Sequence, residues 1–281
     1  MTTATTNKEV KARSYIMIIE LQNYGLVLDD FRLLRDVSFR IDAGESVALV
    51  GPTGSGKSLL LKVMQQSIWR TNTWIPFARQ TKWQQSGSLK ILDLVCGPER
   101  PSMGTARKIQ NAVAMVAEHS EWLPSSVADN FLVVQRRAGL DNPLSYEQIV
   151  DEYAQSSRNR ALLMSFAEQY PAQIELPYLQ YLSLIRALVC HPKVIMLDEA
   201  LIRLDPILLR QAETLLYEKS GSTTLIWATN DLYQASRVTD RTLFLIAGSV
   251  CEDSETPKFF ANPRTPQAEA FISGRELESE T

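Results

Sequence analysis

Gly51-Pro52-Thr53-Gly54-Ser55-Gly56-Lys57-Ser58 follows the apolar run SVALV at 46–50 and leads into a stretch, 58–66, that reads as a helix. The spacing is G-x-x-x-x-G-K-S, and its place between a strand and a helix gives it chemical meaning. Glycines let the backbone fold into a nest of N–H groups facing nucleotide phosphates, with the next helix's N-terminus behind them. In that arrangement Lys57 bridges the β- and γ-phosphates and Ser58 ligates Mg²⁺. The eight residues from Gly51 to Ser58 are therefore candidate cofactor-binding residues. A ligand-free glycine-rich turn would need neither the strand before it nor the helix after it.

A second element lies far downstream. VIMLDE at 194–199 is a buried-type strand ending in an acidic pair. Asp198 suits Mg²⁺ coordination and Glu199 suits polarisation of an attacking water, so Glu199 joins Lys57 as a candidate catalytic residue. No Asn-Lys-x-Asp base-reading motif is present, because Asn230-Asp231 has neither the lysine nor the spacing. A guanine-specific NTPase is thereby disfavoured.

The remaining segments fit an alternation of strands and helices. From Tyr15, YIMIIEL is β-rich and precedes an expected turn around Asn23 to Gly25; LLRDVSFRI at 33–41 alternates as a strand, and DAGE at 42–45 is a tight turn. Residues 69–112, with Trp69, Trp74 and Trp83 and three prolines scattered through them, read as β and loop. The stretch 126–187 is mostly helical, with breaks at 139–143 and at Pro171. TLIWAT at 224–229 is another apolar strand, separated from VIMLD by a helix over 206–219, and RTLFLIAGSVC at 241–251 reads as a hairpin turning at Gly248. A polar tail follows Phe271. The pattern predicts an α/β sheet with an inserted helical subdomain.

Composition narrows the classes. The 281 residues are 45% hydrophobic, enough for one large domain or two small ones. Lys and Arg number 29 against 32 Asp and Glu, for a net charge of -3, which argues against a general nucleic-acid binder. The two histidines, His119 and His191, exclude a multi-histidine metal site. Cys96, Cys190 and Cys251 are odd in number and widely spaced, so they are read as buried thiols rather than a disulfide framework or zinc knuckle. No apolar run approaches the ~18 residues of a spanning helix, and the Thr-rich start lacks the apolar core of a signal peptide. If the protein works at a membrane, other subunits must cross it.

These residues carry a resemblance to the ATP-binding subunits of ABC transporters, covering roughly residues 15–276. The matching order is LLRDVSFRIDAGESVALVGPTGSGKS, then MVAEHSEWLPSSVADN, then IRALVCHPKVIMLDEALIRLDP, then a strand ending at Asn230. The ending FFANPRTPQAEAFISGRE is similar to that of the phosphate-importer branch. The resemblance implies a P-loop ABC ATPase fold: a RecA-like core sheet, an N-terminal antiparallel β subdomain and an inserted helical subdomain near 119–182. It implies a single domain over 15–276, flanked by a disordered tail at 1–14 and a tail at 277–281. It also implies ATP and Mg²⁺ as cofactors and a cytoplasmic location, peripheral on the inner face of the membrane through two permease subunits, with a substrate-binding protein as an indirect partner and no nucleic acid.

Such subunits act as head-to-tail dimers in which each ATP lies between one phosphate loop and the partner's signature loop, typically LSGGQ. Counting back from Ile185-Arg186-Ala187-Leu188, that loop falls at 174–178, which reads IELPY. Glu175 replaces the serine with an anion, and Pro177 replaces a glycine and has no N–H to give. Other positions depart too. The family's metal-sensing Gln is Glu118, kept here as a candidate metal-facing residue with Ser58 and Asp198; the switch His is Asn230. The adenine-stacking aromatic is Leu28, for which Phe31 or Tyr24 is the expected substitute. Asp205 is kept, but the serine usual three residues before it is Ile202.

The departures cluster at nucleotide-facing positions while Lys57, Ser58, Asp198 and Glu199 remain. The expectation is the degenerate half of an ATPase heterodimer in an importer, paired with a complete paralogous ATPase, with inorganic phosphate implied only by the resemblance. The region 126–170 and the loop at Glu118 are expected to dock on the permeases. The alternative is a regulatory pseudo-ATPase that binds nucleotide without driving transport.

Overall fold

A computed structural model describes residues 16–68, 83–97 and 101–275. The expected tails at 1–14 and 277–281, together with Tyr15, Trp69 and Trp74, lie outside the described residues.

SVALV forms β3 (Ser46–Val50), a strand with every residue buried. Its alternation explains why no polar face was needed: Val47 and Leu49 enter one hydrophobic cluster, while Ala48 and Val50 enter another on the opposite face. β7 (Val194–Asp198) and β8 (Thr224–Ala228) divide in the same way. Val194, Met196, Ile226 and Ala228 face the first cluster, whereas Ile195, Leu197, Leu225 and Trp227 face the helical side. With β6 (Val113–Ala117), β9 (Arg241–Ile246) and β10 (Ser249–Glu255) they make a six-stranded sheet in the order β10-β9-β3-β8-β7-β6. It is parallel except for the β9–β10 hairpin, which turns at Gly248.

A second, antiparallel sheet has the order β2-β1-β4-β5, from β1 (Met17–Leu28), β2 (Phe31–Asp42), β4 (Trp83–Ile91) and β5 (Leu94–Cys96). Its inner face and the central strands enclose α1 (Lys57–Met64), whose Leu60, Leu61, Val63 and Met64 are buried in the shared core. This pairing of sheets matches the P-loop fold expected of the chain.

The helical side begins with α2 (Met103–Ala112) and continues through α3 (Val127–Ala138), α4 (Tyr146–Tyr153), α5 (Ser157–Ser165) and α6 (Leu176–Leu188). Ser126, Ser145 and Ser156 cap α3, α4 and α5 by accepting from backbone N–H groups. Gly139 ends α3 at φ 82°, a left-handed cap, and Pro171 opens a single 3₁₀ turn before α6. Then α7 (Pro206–Glu218) packs on the sheet through Leu208, Ala212, Leu215 and Leu216. The chain closes with α8 (Leu232–Val238), α9 (Thr256–Ala261) and α10 (Pro266–Ile272), where Phe244, Phe259 and Phe271 form a small aromatic cluster.

Two sequence expectations are corrected. Residues 103–112 form helix α2 rather than β or loop; Ser102 caps it through Thr105, but only Ile109 is buried, so the apolar periodicity was faint. No turn occurs at Asn23 to Gly25. β1 runs through that stretch with shifts of register, Asn23 taking φ 48°, and the reversal comes at Asp29 and Asp30. The bulge absorbs the turn-prone residues without ending the strand. Among the described residues no helix is long and apolar enough to cross a membrane.

Candidate functional site

The loop between β3 and α1 is held open by three glycines at positive φ, Gly51, Gly54 and Gly56. Gly51, at φ 151°, passes so close to β9 that an added Cβ would lie 2.1 Å from the carbonyl oxygen of Leu245. Gly54, at φ 81°, instead has open space where a side chain would stand, so its backbone can be approached from the cleft. Gly56 precedes α1 with no side-chain cap, leaving the first-turn N–H groups directed at the loop. Gly248 N donates to the Ser55 carbonyl at 2.9 Å, tying the loop to the β9–β10 turn.

Lys57 is only 5% exposed, and its Nζ turns back to donate to the carbonyls of Gly51 (2.7 Å) and Pro52 (3.0 Å). Burial pushes this ammonium below the ordinary lysine range, partly offset by the charges of Glu199 and Asp198. A buried cation satisfied only by neutral carbonyls is set for an anion. Ser55 Oγ is buried with no hydrogen-bond partner among the described residues, a second polar group left unsatisfied at the loop.

Across the cleft, Ser58 Oγ donates to Asp198 Oδ1 at 2.7 Å. Asn230 Nδ2 donates to Glu199 Oε1, also at 2.7 Å. Glu199 holds a left-handed backbone at φ 50° while its N–H reaches the Ala228 carbonyl, so the turn after β7 lifts its side chain toward the end of β8. Asp205 caps α7 through the N–H groups of Ile207 and Leu208, and Asp231 caps α8 through Tyr233 and Gln234. Both capped helices fix the loops that carry Glu199 and Asn230.

Thr53 to Leu59, Ala117, Glu118, His119, Asp198, Glu199 and Leu33 line one open cleft of about 580 Å³. Glu118 follows β6, its N–H donating to the Asp198 carbonyl at 3.1 Å. Its carboxylate is engaged by Arg203, which donates from Nη2 at 2.8 Å and Nε at 3.2 Å to Oε1. Arg203 and the buried Gln180 were not singled out by the sequence reading. Gln180 Nε2 donates to the Glu118 carbonyl and its Oε1 accepts from Arg203 N–H.

Among the described residues no three His, Cys, Asp or Glu side chains converge to hold an ion by themselves. That suits Mg²⁺, which takes one or two protein ligands and completes its shell with phosphate oxygens and water. Ser58 and Asp198 supply such a partial set beside a cationic, glycine-lined loop, so the residues present fit a Mg–nucleotide.

Of the two aromatics expected to serve adenine, Tyr24 is excluded. It is 1% exposed in the core and its hydroxyl donates to Gln85 Oε1. Phe31 is 73% exposed and stands two residues from the cleft-lining Leu33. Glu175 precedes α6 without capping it by side chain, and Pro177 occupies the first turn; both lie outside the cleft of their own chain. Cys96 is buried, but Cys251 is exposed, correcting the expectation of three buried thiols. A second, larger cleft of about 830 Å³ lies between α2, β6, α3 and α6, lined by Met103, Met115, Val134, Arg107, Arg137 and Arg186 among others. Arg186 stacks on Trp122 at 3.9 Å and donates to the Glu121 carbonyl.

Residues 34–202 match the family described as ABC transporter. The chain is 30% identical to a phosphate import ATP-binding protein, PstB 2, of Bacillus licheniformis over 268 residues, covering 92% of this chain and 90% of the relative. It is 27% identical to the phosphate import ATP-binding protein PstB 3 of Streptococcus pneumoniae, covering 91% and 97%. Among solved structures, the ATP binding subunit of an ABC transporter superposes with a TM-score of 0.71 at 17% identity, covering 92% of this chain and 98% of that one. A bacterial Atm1-family exporter with ATP bound gives 0.72 at 18% identity; it covers 92% of this chain, which spans 42% of the exporter's. A phosphate loop between β3 and α1, an acidic pair closing β7, and this likeness along nearly the whole chain lead to one assignment: the chain belongs to the ABC transporter family, as an ATP-binding subunit resembling the phosphate-import branch.

Proposed function

We propose that the chain binds Mg-ATP and serves as the degenerate half of an ATPase heterodimer in an importer, with inorganic phosphate as the substrate suggested by its relatives. The observation that carries this reading is an asymmetry within one chain. Lys57, Ser58, Asp198 and Glu199 line one cleft, with Asn230 bonded to Glu199 behind it, while the start of α6, where a γ-phosphate clamp is needed, offers Glu175 and Pro177.

Bound ATP would supply the phosphoanhydride to be cleaved, and Mg²⁺ would neutralise its oxygens. Gly51 to Gly56 cradle the phosphates through backbone N–H groups, with Pro52 and Thr53 shaping the turn. Lys57 leaves its two carbonyls for phosphate oxygens. Ser58 and Asp198 would hold the metal, with Glu118, just after β6, as a further carboxylate lining the same cleft. Glu199, with Oε1 occupied by Asn230, keeps Oε2 to hold and deprotonate a water. Asn230 donates one amide hydrogen bond where a histidine could also carry charge. Phe31 offers the exposed ring for adenine.

A complete paralogous ATPase supplies the missing clamp to this site. The reciprocal site, built against residues 174–178, turns over little, since each lost γ-phosphate donor costs ~2.7–4 kcal/mol, or roughly 10²–10³ in rate. Two permease subunits dock on the larger cleft and the loop at Glu118, which holds the protein at the inner membrane face, with a substrate-binding protein acting through them. The apolar Met103, Met115 and Val134 beside three arginines suit an amphipathic helix.

The test is co-purification. Isolation with two membrane subunits and a second ATPase, with ATP hydrolysis only in the assembly, supports the reading; brisk hydrolysis by the chain alone overturns it. The Asn230–Glu199 bond also favours a second reading, a regulatory pseudo-ATPase, because it ties one of the two oxygens of the candidate base to a neutral amide. Isolation with signalling proteins and no membrane subunit selects that alternative.

A further inference from the structure

Among the described residues three carboxylates face the nucleotide cleft, and each accepts from the side chain of one residue. Asp198 takes a hydroxyl from Ser58 and Glu199 takes an amide from Asn230, both neutral groups. Glu118 alone is held by a full cation, Arg203, through two nitrogens on the same oxygen. His119 stands further off, 3.9 Å from that oxygen.

Everything else about Glu118 is fixed. Its N–H is bound to the Asp198 carbonyl and its own carbonyl to Gln180, which is 2% exposed and also fixes the backbone of Arg203. The loop is anchored to α6 a second time by Arg186 on the Glu121 carbonyl. With the backbone pinned at both ends, the side chain is the part left to move. The pair itself is half in solvent, at 49% and 30% side-chain exposure, so the ion pair is weak enough to be exchanged.

We propose that Arg203 is a positioning residue that holds the Glu118 carboxylate until a divalent cation competes for it, so that Mg–nucleotide binding exchanges one positive partner of Glu118 for another. Arg203 does not touch the nucleotide in this scheme; it sets how much negative charge the empty cleft presents. Removing it frees a third carboxylate, which strengthens the pull on Mg²⁺ and repels nucleotide that carries no metal. The proposal rests on the nucleotide-binding reading above.

The experiment is equilibrium titration of the full chain with a fluorescent ATP analogue, once at varied Mg²⁺ and once in EDTA. R203A is expected to lower the Mg²⁺ concentration at half-saturation about two- to five-fold, the range of a partly exposed ion pair, and to weaken binding in EDTA by a similar factor. R203K retains the wild-type values. In the E118Q background the R203A substitution changes neither quantity, because the coupling partner is gone. An unchanged Mg²⁺ midpoint in R203A, or a shift of equal size with and without Glu118, overturns the latch while nucleotide binding stands. A wild-type chain that binds no analogue at any Mg²⁺ concentration overturns the nucleotide reading and the latch together. Should R203A melt early, R203M, which keeps the aliphatic stem, carries the same comparison.

Discussion

Asn230 Nδ2 lies 2.7 Å from Glu199 Oε1, joining the residue after β7 to the end of the segment that follows β8. The two reach each other because β7 and β8 are parallel neighbours in register, with Asp198 opposite Ala228. A carboxylate with one oxygen so occupied has its other oxygen oriented rather than free. Glu199→Gln keeps the shape and removes the base. In the assembled complex turnover is expected to fall ~10²–10⁴-fold with nucleotide affinity retained, as for loss of a general base. Steady-state hydrolysis alongside nucleotide titration checks this; unchanged turnover would place the chemistry at the partner's site.

Lys57→Ala removes a buried cation whose hydrogen bonds, among the described residues, go to the neutral carbonyls of Gly51 and Pro52. Nucleotide affinity is expected to drop ~10- to 100-fold, the scale of a charged hydrogen bond. The lowered pKa adds a pH signature. Between the folded value and the ordinary lysine value the unfolded chain binds more protons, so the nucleotide-free protein gains stability as pH rises through that window. Nucleotide affinity moves the opposite way, because the ammonium is lost. Melting and titration as pH rises toward the ordinary lysine value of ~10.4 should diverge in the parent chain, and Lys57→Arg, which stays charged, should abolish the divergence.

Gly51→Ala tests the close approach to β9. A methyl group 2.1 Å from the Leu245 carbonyl forces the loop or the strand to move, at a φ no L-residue favours. A loss of ~2–4 kcal/mol is expected, seen as a fall of several degrees in melting temperature together with loss of nucleotide binding. Gly54→Ala, where no neighbour stands within 4 Å, should cost less stability and act mainly on the nucleotide.

Glu175→Ser with Pro177→Gly restores a hydroxyl and an N–H at the start of α6. If the missing clamp is what silences the chain on its own, the double variant should hydrolyse ATP as a homomer at least tenfold faster than its parent, since each donor is worth ~2.7–4 kcal/mol. Equal, negligible rates would shift the block to Asn230 or Glu118.

Much of this was legible in the residues because the phosphate loop and the acidic pair are local signals on strands with no polar face. The segment from Val194 to Asp198 could only be a strand buried on both sides, and that fixes where Asp198 and Glu199 emerge. What escaped was long-range or weakly patterned. Glu118 and Arg203 lie 85 residues apart, and nothing in either stretch announces the other. Tyr24 looked available for adenine because it falls in the expected turn at Asn23 to Gly25, where a side chain would be exposed; the bulge that turns it inward depends on β4. α2 was missed because it buries a single residue.

The place of β3 in the middle of its sheet has a consequence for how the chain comes into being. Its two neighbours, β8 and β9, are made roughly 180 and 200 residues later, and the turn at Gly248 that grips Ser55 comes later still. A ribosome-bound chain that has emerged only through the helical half carries the whole glycine-rich sequence yet lacks the walls that shape it. Such sequence-distant pairing is slow and leaves apolar strand edges open meanwhile. The nascent protein therefore lacks the walls of its phosphate loop until Gly248 has been translated, and until then the unpaired edges of β3 are what a chaperone would have to cover.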